Sequence, residues 1–197
     1  MNKQNFGLTL IELLISLVLL SLIVVGFSNI DLFSRHHILN TDRQSKLQNE
    51  ASYALELMTR EIGNAIGNRA IGTINPISMV NVGQDRDIYI TIDSNRDAQF
   101  SAGDIVRRFQ WIGALGSVGV NERYKIRYYD GGGEFEVIAN KISNFSVTSP
   151  ATENNVFVEI TACWDPTEAN FLCGTTDNPT FTARARIKMP SVSVATR

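Results

Sequence analysis

The sequence predicts an α+β fold in which one long N-terminal helix packs on an antiparallel β-sheet. Three observations carry this reading. From Leu13 to Ile30 the chain holds no charged residue. Beyond that run, apolar residues recur at spacings of three and four as far as Ile66, and no proline occurs before Pro76. From residue 77 onward the period changes to the two-residue alternation of half-buried strands. A length of 197 residues suits one domain with an appendage. An apolar content of 44% excludes a disordered chain. The balance of 18 basic against 20 acidic side chains argues against a nucleic-acid binder that works by bulk positive charge.

The helix comes first. Leu8 to Ile11 extend the uncharged run to a length that can cross a bilayer, which takes about 20 residues. One residue breaks the pattern: Glu12, between Ile11 and Leu13. A carboxylate in a membrane segment is costly, so it needs a partner and a purpose. A cleaved secretory signal does not fit, because its apolar region is about 7–15 residues long and ends in an A-x-A-like site. A plain membrane anchor leaves Glu12 without a role.

The segment Gly7-Leu8-Thr9-Leu10-Ile11-Glu12-Leu13-Leu14 resembles the class III signal of type IV pilin-like proteins. Leu8 stands where that family usually has phenylalanine. The resemblance implies cleavage after Gly7 by a prepilin peptidase and N-methylation of Leu8. It also implies that Glu12 pairs with the N-terminal amine of a neighbouring subunit. Physical chemistry agrees: cleavage puts a positive amine one helical turn from Glu12, and two buried charges compensate each other only when paired. The implied partners are other pilins or pseudopilins, the prepilin peptidase and an inner-membrane assembly platform. The implied fold is pilin-like. Its division is a leader (1–7), a transmembrane or filament-core helix (8–30), an amphipathic helix with its connection (31–75) and an extracytoplasmic β domain (76–197).

The second helical half shows Leu47, Ala51, Ala54, Leu55, Met58, Ile62, Ala65 and Ile66 on one face. The opposite face carries Arg43, Lys46, Glu50, Arg60 and Glu61. A helix from Leu8 to Ile62 would be roughly 80 Å long. Gly26 reads as a bend or as a tolerated membrane glycine. The stretches Arg43–Ala51 and Ala54–Ile62 resemble the corresponding part of PilW-type minor pilins and of the J-type pseudopilins of type II secretion. His36 and His37 lack further metal ligands nearby and read as surface residues.

The strands follow. Ile88, Ile90 and Ile92 alternate, then Ile105, Phe109 and Trp111, then Tyr124, Ile126 and Tyr128. Phe135, Val137 and Ala139 form a stripe after the turn at Asp130–Gly133. Val156, Val158, Ile160 and Ala162 form the next, and Phe181, Ala183, Ala185, Ile187 and Met189 the last. A β domain of some 120 residues fits larger minor pilins and pseudopilins better than a minimal major pilin. Lys125 with Arg127, and Arg184 with Arg186 and Lys188, are candidates for DNA contact, but a solvated outer face explains them more simply.

Between two strands, residues 93–104 read DSNRDAQFSAGD. Asp93, Asn95 and Asp97 stand at positions 1, 3 and 5 of a calcium loop, Gln99 at 7 and Asp104 at 12. Ala98 replaces the glycine of an EF-hand, and strands flank the loop. The segment therefore reads either as a Ca2+-stapled hairpin or as an Asn/Asp-rich turn that needs no metal. Cys163 and Cys173 enclose a short polar loop. Outside the membrane they read as a disulfide. No nucleophile elbow, phosphate loop, zinc motif or dinucleotide fingerprint occurs, so catalysis is not expected. The reading is a minor pilin acting in filament assembly. The alternatives are a type II secretion pseudopilin and, in another class, a membrane-anchored extracytoplasmic binding domain that does not polymerise.

Overall fold

A computed structural model describes residues 9–65, 77–82, 85–92, 94, 104–113, 123–149, 155–167 and 172–189. Helix α1 spans Leu10–Gly63. The chain divides into two units within this helix, Met1–Asp42 and Arg43–Arg197.

In the first unit the apolar side chains from Leu10 to Leu39 are exposed. A water-soluble helix would cover such a surface. This one is long and apolar enough to cross a membrane. The helix continues through Gly26, where an added Cβ would meet nothing within 4 Å.

The second unit joins the rest of α1 to eight strands. Strands β1 (Ile77–Val82), β2 (Asp85–Ile92), β3 (Ile105–Ile112), β4 (Lys125–Tyr129) and β5 (Glu136–Ala139) form an antiparallel sheet in chain order. Strands β6 (Ile142–Thr148), β7 (Asn155–Cys163) and β8 (Thr180–Lys188) form a second antiparallel sheet, also in chain order. The expected single sheet is thus two. They are tied at β6, where Trp111 Nε1 donates to the Ile142 carbonyl at 3.0 Å and Arg86 donates to that of Phe145.

One core serves both sheets. Leu47, Ala51, Ala54, Met58 and Ile62 of the helix pack with Ile88, Ile90 and Phe109 of the first sheet and Val156, Val158 and Ile160 of the second. The apolar face read from the sequence is therefore the buried one, with Leu55 only partly covered and Leu57 added. Ile66 lies outside the described residues. Truncating a fully buried aromatic such as Phe109 or Phe145 to Ala would cost about 3–5 kcal/mol.

Four details differ from the sequence pattern. Phe135 and Val137 are exposed, whereas Ile138 and Ala139 are buried. A register shift explains this: Ile126 pairs with Ala139 but Arg127 with Val137, leaving Ile138 as the extra residue of a β-bulge. Ile105 is exposed rather than on the inner face of Phe109 and Trp111. Tyr124 precedes β4 and adopts a left-handed backbone, φ 59°. Glu61, expected on the polar helix face, is buried at 2% exposure. Its Oε2 lies 2.9 Å from Arg107 Nη1, and its Oε1 lies 3.1 Å from Arg60 Nη2. Arg107 also donates to the Tyr128 hydroxyl.

Candidate functional site

The helix start is the first candidate. Thr9 stands just before α1 and Glu12 in its first turn. The Thr9 amide and hydroxyl both donate to Glu12 Oε2, at 2.9 and 2.8 Å. The Glu12 amide donates back to Thr9 Oγ1 at 3.4 Å. This is a capping box: the side chain three residues into the helix satisfies the donor at its start, and vice versa. A negative carboxylate in the first turn also suits the positive end of the helix dipole. Glu12 is therefore satisfied locally within one chain. The T-x-x-E spacing that signals this stands in the sequence, inside the segment that resembles the class III signal and in which Glu12 is expected to pair with a neighbouring subunit.

Polar groups further along the apolar half are also satisfied internally. Ser16 Oγ donates to the Glu12 carbonyl at 2.6 Å, Ser21 Oγ to that of Val18 at 2.7 Å and Ser28 Oγ to that of Val24 at 2.9 Å. In lipid no water is available, so a hydroxyl that bonds back to its own helix removes a cost of burial. The first charged side chains after the run, Asp31 and Arg35, pair at 3.0 Å. His37 takes a hydrogen bond on its carbonyl from Thr41 Oγ1 at 2.9 Å and contacts Phe33. Gly7 and Leu8 lie outside the described residues.

The calcium candidates are placed only at one end. Asp93, Asn95, Asp97 and Gln99 lie outside the described residues, and Asp104 is half-buried just before β3. The register pairs Ile92 with Ile105, so the intervening segment connects a β-hairpin, as the flanking strands implied. Among the described residues no group of three His, Cys, Asp or Glu side chains is arranged to hold a metal.

Cys163 and Cys173 form a disulfide with Cα atoms 5.7 Å apart. Asn178, buried and not singled out by its sequence context, organises this region. Its Oδ1 accepts the Asp165 amide at 2.8 Å, its Nδ2 donates to the Asp165 carbonyl at 2.9 Å, and its own carbonyl accepts the Gly174 amide at 2.9 Å. Gly174 has φ +99°, a conformation that favours glycine. Nearby, Lys141 Nζ sits 3.3 Å from the Trp164 ring centroid, and burial holds its pKa below the ordinary lysine value despite the Asp165 and Glu50 carboxylates.

On the β8 basic face two cations contact the neighbouring strand. Arg184 forms an ion pair with Glu159, and Arg186 stacks over Phe157.

No curated protein and no solved structure matches the chain. Residues 2–28 match the prokaryotic N-terminal methylation motif, so the chain carries a type IV pilin-like class III signal at the start of its apolar helix.

Proposed function

We propose that this chain is a minor pilin of a type IV pilus, inserted in the inner membrane and then packed into the filament by its N-terminal helix. The observation that carries this is the methylation motif on a helix whose first half, from Leu10 to Ile30, exposes its large apolar side chains and carries one charge, Glu12, in the first turn. On this reading a prepilin peptidase cuts between Gly7 and Leu8, and Leu8 is methylated. Glu12 then exchanges its bonds to Thr9 for the amine of an adjacent subunit. That pairing fixes the axial register of the new subunit, because an unpaired charge in a lipid-like core is strongly penalised. The second unit faces the periplasm, where its disulfide is preserved.

The test is Glu12→Leu in the full chain. The variant is expected to insert and to be processed normally, yet to be absent from sheared filaments. Recovery of the variant in filaments at the level of the unmodified chain would refute the role of Glu12. Neighbouring genes for a secretion channel, in place of further prepilin-like reading frames, would move the assignment to a type II secretion pseudopilin.

A further inference from the structure

The disulfide loop reaches helix α1. Arg43 Nη1 donates to the Asp177 carbonyl at 2.7 Å, and the Arg43 guanidinium lies over the Trp164 ring, 5.4 Å from its centroid. Trp164 follows Cys163 directly, and Asp177 lies a short way beyond Cys173. One helix side chain is thus held by both of the arms that the disulfide joins. The Cys163 amide also donates to the Lys141 carbonyl at 2.8 Å, and the Lys141 ammonium is the second cation on Trp164.

Asn178 connects these arms. It is buried, its side chain bonds the Asp165 amide and carbonyl, and its own carbonyl accepts the Gly174 amide beside Cys173. Its Oδ1 also lies 3.3 Å from Cys163 Sγ. In the disulfide that sulfur has no hydrogen to donate. Once reduced, Cys163 is a thiol donor within reach of an oxygen already used by Asp165, so reduction disturbs the residue next to Asp177. The two sulfurs are not equivalent. Cys163 is fully buried, whereas Cys173 is exposed. Thiol–disulfide exchange depends on access, so an attacking thiolate meets Cys173 first.

We propose that the Cys163–Cys173 bond is a redox-sensitive clasp on helix α1: oxidised, it holds both Trp164 and Asp177 on Arg43, and reduced, it releases Asp177. The reductant is a dithiol. One of its thiolates attacks Cys173 Sγ, the protein S–S bond breaks, and Cys163 leaves as a thiolate that takes a proton. The second thiolate of the reductant then attacks the mixed disulfide, and Cys173 leaves and is protonated in turn. Two electrons pass to the protein, and the dithiol ends as a disulfide. The clasp lies within the second unit and does not depend on the filament assignment.

Such coupling is reciprocal: if the bond secures Arg43, Arg43 favours the bond. The experiment is therefore a redox titration of the full chain in detergent micelles and glutathione buffers, with alkylation and mass spectrometry reading the oxidised fraction. Arg43→Ala is expected to shift the equilibrium about tenfold towards the thiols, or about 30 mV in reduction potential, the effect of one exposed charge-assisted bond with a cation–π contact. Arg184→Ala, which removes an exposed arginine of β8, is expected to leave the equilibrium unchanged. An unshifted equilibrium in Arg43→Ala, or an equal shift in both variants, would overturn the proposal. Trapped glutathione is expected on Cys173, and its recovery on Cys163 would contradict the order of attack. The reduced chain should keep its strand signal in circular dichroism. Loss of that signal would make the bond a staple of the whole unit and would also overturn the clasp.

Discussion

Replacing Glu61 by Ala should be among the most damaging single changes in the second unit. Its carboxylate is 2% exposed and lies 2.9 Å from Arg107 and 3.1 Å from Arg60. Removing one member of a buried pair costs about 3–5 kcal/mol, because the remaining charge loses its compensation. The Arg107 side chain is 27% exposed and keeps its bond to Tyr128, so water and the phenol recover part of the loss. Arg60 lies mostly in solvent and adds little. The expected cost is therefore near the lower bound, about 3 kcal/mol. Urea unfolding followed by tryptophan fluorescence should show the midpoint fall by roughly 1.5 M, given a slope of about 2 kcal/mol/M. Adding Arg107→Met should restore at least half of the loss, since both charges are then gone. A cost below about 1 kcal/mol, or a double variant less stable than Glu61→Ala, would refute the reasoning.

Further outcomes are expected. Burial pushes the Tyr128 phenol above the ordinary value of 10.0, against the Arg107 hydrogen bond. The fold thus holds this proton longer than the unfolded chain does. That contribution is complete below pH 10 and is lost as pH rises through the folded value, so stability falls in strong alkali. Tyr128→Phe should flatten this decline in pH-dependent melting, and an unchanged alkaline slope would contradict it. Reduction of the Cys163–Cys173 bond, whose sequence separation is 10, should lower stability by about 3 kcal/mol in denaturant titration. If residues 93–104 hold calcium, millimolar Ca2+ should raise the melting temperature, and Asp93→Ala should abolish the shift. No shift in the unmodified chain would remove calcium from the account.

What the sequence disclosed, and what it hid, follows from the range of each interaction. The helix face of Leu47, Ala51, Ala54, Met58 and Ile62 was legible because it depends only on local spacing. Glu61 departs from the polar face that its charge implies because its partner, Arg107, is 46 residues away in sequence and invisible to local spacing. The stripe Phe135, Val137 and Ala139 failed at Ile138, where one bulged residue inverts the alternation. Strand β6 escaped notice for a similar reason: its register shift between Ile142 and Asn144 sets the buried Ile142 and Phe145 three residues apart. Strand β1 was silent because Met79 and Val80 are both exposed and carry no alternating pattern. The helix start was half legible. Its cleavage signal was visible, but its capping box was overlooked because the same residues already had an explanation.

The central claim concerns that helix start, and the mass of the mature N-terminal peptide tests it most directly. The account predicts a chain beginning at an N-methylated Leu8. A chain that retains Met1, or one cut near residue 30, would contradict it.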